Sequence, residues 1–256
     1  PERAWRSAAQ WRTSWLSREV IVLPAFMGLT ALYGLVHYFD LNPVLFSFSG
    51  EFTVDLSLVI GGVNTVLAFA LFFCTGMIYA SIKFLQEWAT PLTVVNYTLL
   101  GSASGFALAT AFAAYVGSEL VTFYSAWAII ITLAAFITRS ASLFRNARIK
   151  YRSSLRSAIG IRHARIEQKS RGFMAGSFNT REYFHGASAQ SFRSVKWVFL
   201  VLVFPVPVAL ISIGLGSGAF PLLALAFAVQ YTGLLAERWF FFAQANHPQN
   251  LYYQTV

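Results

Sequence analysis

The chain has 256 residues, of which 57% are hydrophobic and 11% charged, with a mean hydropathy of +0.58 and a net charge of +9. A soluble domain carries about a quarter charged residues, so a water-soluble globule is excluded and an all-α, polytopic transmembrane helix bundle is expected. The single cysteine, Cys74, cannot form an internal disulfide, and metal-ligand spacing is absent, so no metal site is expected and Cys74 reads as a small apolar packing residue.

The chain begins at Pro1 with neither an initiator Met nor a signal-peptide pattern, so a part upstream of this numbering is expected. Residues 1–19 are not apolar enough to span. Ala4, Ala8, Trp11 and Trp15 recur at helical spacing with Arg3, Arg6 and Arg12 between them, which predicts an interfacial helix or a connector from an upstream span. Six apolar runs then approach or exceed the roughly 20 residues that a bilayer requires. They lie at about Val20–Tyr38, Leu56–Ile82, Leu92–Val116, Leu120–Thr138, Val198–Leu215 and Phe220–Phe242. The runs are continuous rather than alternating, which argues against membrane strands. Pro205 and Pro207 are tolerated inside membrane helices, and Gly101 and Gly105 bracket a small-residue stripe suited to close helix packing.

The expected organisation is an interfacial segment (1–19), a four-span bundle (20–138), a basic loop (139–197), a two-span bundle (198–242) and a tail (243–256). With six crossings, all 19 Lys and Arg residues fall on or at the edge of one side, while Asp40, Glu51, Asp55 and Glu119 fall on the other. The positive-inside rule assigns the basic side, with the loop and the C-terminus, to the cytoplasm. Residues 139–196 hold 13 of the 19 basic residues and only two acids, Glu167 and Glu182. Arg145, Arg148, Arg152 and Arg156 follow the fourth span at helical steps, and an aromatic-rich stretch runs from Gly172 to Gly186. Contact with anionic lipid is one reading of this excess. A docking surface for an acidic partner fits the patterned stretch better, with Arg148, Arg152, Arg181, Glu182 and His185 as its candidate residues. Nucleic acid is not an expected partner, because no binding motif appears.

Ionisable residues at membrane depth are costly and mark function by default. Arg18 and Glu19 open the first span. Lys83 and Glu87 close the second at a four-residue step, so they are expected on one helix face, with Tyr79 one turn earlier. Trp88 and Asn96 flank the start of the third span, and Glu237 and Arg238 close the sixth. A quinone headgroup needs hydrogen-bond donors at its carbonyls, an acid–base group and an apolar slot. Glu19, Arg18, Tyr79, Lys83, Trp88, Glu237 and Arg238 are the candidate quinone-binding residues, on the expectation that they converge beneath the cytoplasmic surface. Snorkelling interface charges and an aromatic belt are the competing account of the same residues. Of His37, His163, His185 and His247 only His37 lies in a span, so no bis-histidine haem is expected in this chain.

Several stretches carry a family resemblance: Pro1–Trp5 with Ser17–Val20, Ile78-Tyr79 with Trp88–Pro91, Glu237–Phe240, Ser177–Gly186 and Ala245–Tyr252. In these the chain resembles the membrane anchor subunits of dimethyl sulfoxide reductase-type molybdopterin oxidoreductases, in a branch associated with cytoplasmic sulfite-oxidising complexes. The resemblance covers nearly the whole chain. It implies eight helices in the full family, six of them visible here, and no haem. It also implies an iron–sulfur partner subunit, a molybdopterin catalytic subunit beyond it, and placement in the bacterial inner membrane. The anchor itself would be non-catalytic, exchanging electrons with menaquinone or ubiquinone. The family's quinone-site glutamate maps onto Glu19, whereas its quinone-site histidine would lie upstream of Pro1. An anchor of a sulfoxide, N-oxide or other reductase, a bare structural anchor, and a membrane transporter are the competing readings. Transport favours ionisable residues near the midplane or broken helices in repeated halves.

Overall fold

A computed structural model of the chain describes residues 4–48, 52–163, 165–166 and 189–248. It divides into two compact units, residues 1–79 and 80–256, and each is considered by itself. Among the described residues, six helical stretches are long and apolar enough to cross a membrane: Trp15–Tyr38, Leu56–Ala80, Pro91–Tyr115, Val121–Asn146, Gln190–Ser217 and Phe220–Gln244.

The first unit opens with a short 3-10 turn, Ala4–Ala8, and then α1, Trp15–Tyr38. The expected interfacial helix over residues 1–19 is therefore interrupted. Helix α1 starts at Trp15 because the Ser14 hydroxyl caps it, accepting from the Ser17 amide at 3.4 Å. Arg18 and Glu19 consequently lie inside the first helix rather than ahead of it. Strands β1 (Val44–Phe48) and β2 (Phe52–Asp55) form an antiparallel ribbon that the apolar-run reading does not foresee. Asp55 joins that ribbon to α2, Leu56–Ala80. It accepts from the Leu58 amide at 2.8 Å, the Ser57 hydroxyl at 3.0 Å and the Asn42 amide at 3.0 Å. The Leu58 amide, and then the two side-chain donors, hold this carboxyl below its ordinary range against the opposing effect of desolvation.

The second unit holds α3 (Pro91–Tyr115), α4 (Val121–Asn146), a short α5 (Leu155–Ile159), α6 (Ala189–Val203), α7 (Pro205–Ser217) and α8 (Phe220–Gln244). Helix α4 buries Ser125, Ala128, Thr132, Ala135, Arg139 and Ser142. Their alternating three- and four-residue steps make a continuous seam of small residues that carries one charge, Arg139, near its end. Helix α3 buries Ala103, Ala107 and Ala111. The expected stripe at Gly101 and Gly105 is displaced to these alanines, since a Cβ on Gly105 would meet nothing within 4 Å. A close approach to backbone occurs at Gly233 of α8, where a Cβ would stand 2.8 Å from Leu202 Cβ and 2.9 Å from the Leu202 carbonyl carbon. Only glycine fits there.

The fifth span is broken between α6 and α7 at Phe204. Pro205 and Pro207 have no N–H, so the carbonyls four residues back lose their helical donors. For Val203 the replacement is Gln230 of α8, whose Nε2 donates to the Val203 carbonyl at 3.2 Å and to Thr132 Oγ1 at 3.1 Å. Gln230 is fully buried, so the break is closed by a side chain rather than by solvent.

Candidate functional site

In the first unit, the half-buried Glu19 of α1 accepts from Thr75 Oγ1 of α2 at 2.6 Å through Oε1. Tyr79 stands four residues beyond Thr75 on the same face of α2. Arg18 turns the other way. Its Nε donates to the Trp11 carbonyl and its Nη2 to the Arg12 carbonyl, each at 2.9 Å, and its guanidinium lies 4.0 Å from the Trp15 ring centroid. Arg18 therefore secures the N-terminal segment, while Glu19 and Thr75 form a polar pair within the spans.

In the second unit, the α3 start and the α4 and α8 ends meet at one end of the bundle. Trp88 stacks on Phe241, with centroids 5.0 Å apart and planes 6° from parallel, and its Nε1 donates to the Phe241 carbonyl at 3.1 Å. Arg145 of α4 donates to the Gln86 carbonyl at 3.0 Å. Two turns inside the end of α8, Glu237 is fully buried between Arg139 Nη2 at 2.7 Å and Arg238 Nη2 at 2.6 Å, and Arg238 Nε adds a hydrogen bond at 2.8 Å. The Arg139 contact is a close ion pair whose angle falls short of a hydrogen bond. Arg139 lies 5.6 Å from the Phe199 ring, and Arg238 lies 4.1 Å from the Tyr97 ring and 4.8 Å from the Phe241 ring. Thr93, Asn96 and Ser142 line a cavity of about 10 Å³ beside the three charges, room for about one water. Asn96 Oδ1 and Arg139 Nε have no hydrogen-bond partner among the described residues.

Several expectations are corrected by this geometry. Residues 81–90 are not helical, so Lys83 and Glu87 do not share a helix face: Thr90 caps a new helix at Pro91, and the chain must turn before it. Lys83 is exposed, whereas Glu87 is turned inward and 3% exposed. Glu87 Oε1 accepts from the Tyr151 hydroxyl at 2.5 Å and from the Asn246 amide at 3.2 Å. Burial, and then the hydrogen bond and charge of Glu87, push the Tyr151 phenol up to about 12, so it remains a donor. The boundary of the basic loop also moves. Helix α4 continues to Asn146 and draws Arg139 into the bundle, and it stops before Arg148, Arg152 and Arg156 can extend it.

Of the seven candidate quinone residues, Arg18, Glu19 and Tyr79 fall in the first unit. Lys83, Trp88, Glu237 and Arg238 fall in the second. Within the second, Trp88, Glu237 and Arg238 belong to one end of the bundle and are held by protein partners, and Lys83 lines a surface pocket instead. Of the docking residues, Arg148 is exposed with its guanidinium 3.8 Å from the Phe144 ring, and Arg152 lines the same pocket as Lys83. Arg181, Glu182 and His185 lie outside the described residues. Arg139, Thr75 and Tyr151 are the site residues that sequence reasoning passed over. The signal available for Arg139 was its position in register with the small-residue seam.

These features define a polytopic helical membrane protein with a buried ionic cluster at one end of its helices. The family model for the DMSO reductase anchor subunit (DmsC) matches residues 1–243. The chain is also similar to the C subunit of the sulfite dehydrogenase of Allochromatium vinosum, 56% identical over 256 residues, which is 100% of this chain and 79% of that protein. No solved structure matches. The chain belongs to the DMSO reductase anchor subunit (DmsC) family.

Proposed function

We propose that this chain is the quinone-handling anchor of a sulfite-oxidising complex in the bacterial inner membrane. In this reading an iron–sulfur subunit docks on its basic, cytoplasmic face and passes electrons between a molybdopterin catalytic subunit and the membrane quinone pool. Family membership and the whole-chain similarity to the C subunit of a sulfite dehydrogenase support the anchor role and the sulfite assignment. The observation that carries the quinone role is Glu19, a carboxylate inside an apolar span with Thr75 on one of its oxygens. Its Oε2 has no hydrogen bond to the described residues, so one oxygen remains to take or give a proton at a headgroup.

A quinone supplies two-electron, two-proton redox chemistry when bound. The residues present suit it: Glu19 as acid–base group, and the hydroxyl of Tyr79, on the same helix face as Thr75, as a donor. Thr75 also fixes the Glu19 rotamer, so the carboxylate does not have to be oriented anew in each turnover. Exchange at the cytoplasmic end would draw protons from the same side as the electrons. Trp88, Glu237 and Arg238 act in this reading by holding the helix ends that carry the docking face.

Glu19→Gln in the assembled complex tests the assignment. It keeps the volume and the Thr75 hydrogen bond but cannot be ionised. Quinone turnover should fall roughly 100-fold, the usual range for loss of a general acid–base group, while subunit assembly and artificial-dye activity stay at the wild-type level. Unchanged quinone kinetics in a correctly assembled Glu19→Gln complex would remove Glu19 from the proton path.

A further inference from the structure

A pocket of about 350 Å³ opens on the second unit at the end of the bundle where α4 and α8 stop and α3 starts. It is made by three segments that each lie just beyond a span: residues 83–86, 151–153 and 246–248. Lys83 and Arg152 supply its charge, Gln86, Ser153 and Asn246 supply neutral polar groups, and Phe84 supplies an apolar wall. Lys83, Phe84 and Arg152 are exposed. Among the described residues neither cation is in an ion pair. The buried Glu87 carboxylate is not among the lining residues and is engaged by two that are, the Tyr151 hydroxyl and the Asn246 amide. The pocket is therefore a concave, cationic site set at the depth where a helical bundle leaves the hydrocarbon.

At that depth the abundant anion is the lipid phosphate. A basic pocket between helix ends on this side of a bundle matches a phosphodiester headgroup in charge. Lys provides a point charge and Arg a fork of donors for the phosphate oxygens. The exposed Phe84, its ring 5.4 Å from that of His247, offers an apolar flank at which an acyl chain can begin. We propose that this pocket is a binding site for an anionic phospholipid, with Lys83 and Arg152 holding its phosphate.

The full-length protein, reconstituted in nanodiscs of phosphatidylcholine doped with phosphatidylglycerol, tests the site. Bound lipid is read by native mass spectrometry after release into detergent. Wild type should retain phosphatidylglycerol over phosphatidylcholine. The Lys83→Gln, Arg152→Gln double variant should hold it roughly 30-fold more weakly, the equivalent of about 1 kcal/mol for each cation removed. Arg193→Gln, an exposed cation of α6 outside the pocket, should retain it as wild type does. An unchanged thermal midpoint in the double variant separates loss of the site from loss of the fold. Equal retention by wild type and double variant overturns the proposal. So does displacement of the lipid by millimolar inorganic phosphate, which would assign the site to free phosphate. Retention that vanishes when the native complex is intact would also overturn it, assigning the pocket to a partner protein.

Discussion

Glu237→Gln is the most informative perturbation of the buried ionic cluster. Glu237 is fully buried and holds two cations, Arg139 at 2.7 Å and Arg238 at 2.6 Å, whose side chains are 3% and 30% exposed. Removing one member of a buried pair costs about 3–5 kcal/mol, mostly as the penalty of the stranded charge. Arg238 reaches solvent and recovers part of its hydration, while Arg139 cannot, so the cost of Glu237→Gln is concentrated on Arg139. Arg139→Met is different in kind. It leaves Glu237 paired with Arg238 and fills the space with an apolar chain of similar length, and its cost should be about 1 kcal/mol. The double variant removes the stranded charge along with its partner and should therefore be more stable than Glu237→Gln alone. Thermal unfolding of the full-length protein in a single detergent reads the order. Glu237→Gln should lower the midpoint by roughly 6 °C or more, on the scale of about 2–4 °C per kcal/mol for chains of this size. Additive losses, with the double variant the least stable of the three, would refute the argument that Glu237 exists to neutralise Arg139.

Gln230→Leu keeps the volume but strips the donor from the Val203 carbonyl and from Thr132. It should cost about 1–2 kcal/mol, as interhelical hydrogen bonds in membranes do, and increase hydrogen–deuterium exchange around Phe204. Tyr151 is 46% exposed, and its folded-state value of about 12 lies above the ordinary 10. Its contribution to stability is thus complete below pH 10 and is lost as pH rises from 10 to 12. Tyr151→Phe should lower stability at neutral pH and flatten that alkaline fall, measured as thermal midpoints across a pH series.

The spans were legible because each is a continuous apolar run whose length exceeds the bilayer requirement, and none depends on knowing its neighbour. Their ends were not, since each end is decided by a partner far away in sequence. Arg139 reads as the first residue of a basic loop until Glu237 is seen beside it. Lys83 and Glu87 read as a helical pair, but the cap at Thr90 and the Tyr151 hydroxyl claim that stretch for a turn with one side chain inside and one outside. The break at Phe204 was written in Pro205 and Pro207, yet only the position of Gln230 shows how an uncovered carbonyl survives there. Gly101 and Gly105 match a packing motif that the fold does not use at Gly105, while Gly233, with no motif around it, is the glycine that packing requires. The family relation was carried by short motifs across the chain, and Glu19 was placed by them. The hydroxyl that orients it, Thr75, has no such signature.

The small-residue seam of α4 and the broken span both carry groups completed by α8: Arg139 by Glu237, and the Val203 carbonyl by Gln230. Because α8 follows α4, α6 and α7 in the chain, biosynthesis reaches these partners only after those helices are made. Until then Arg139 must lean toward the interface, and the joint between α6 and α7 has no fixed angle. Arrival of α8 supplies a counter-charge, a hydrogen-bond donor and the Gly233 surface that admits Leu202 in a single insertion event. Helix α8 is therefore the latch of the second unit, and a ribosome that stops before Phe220 releases a chain that is inserted but not yet assembled.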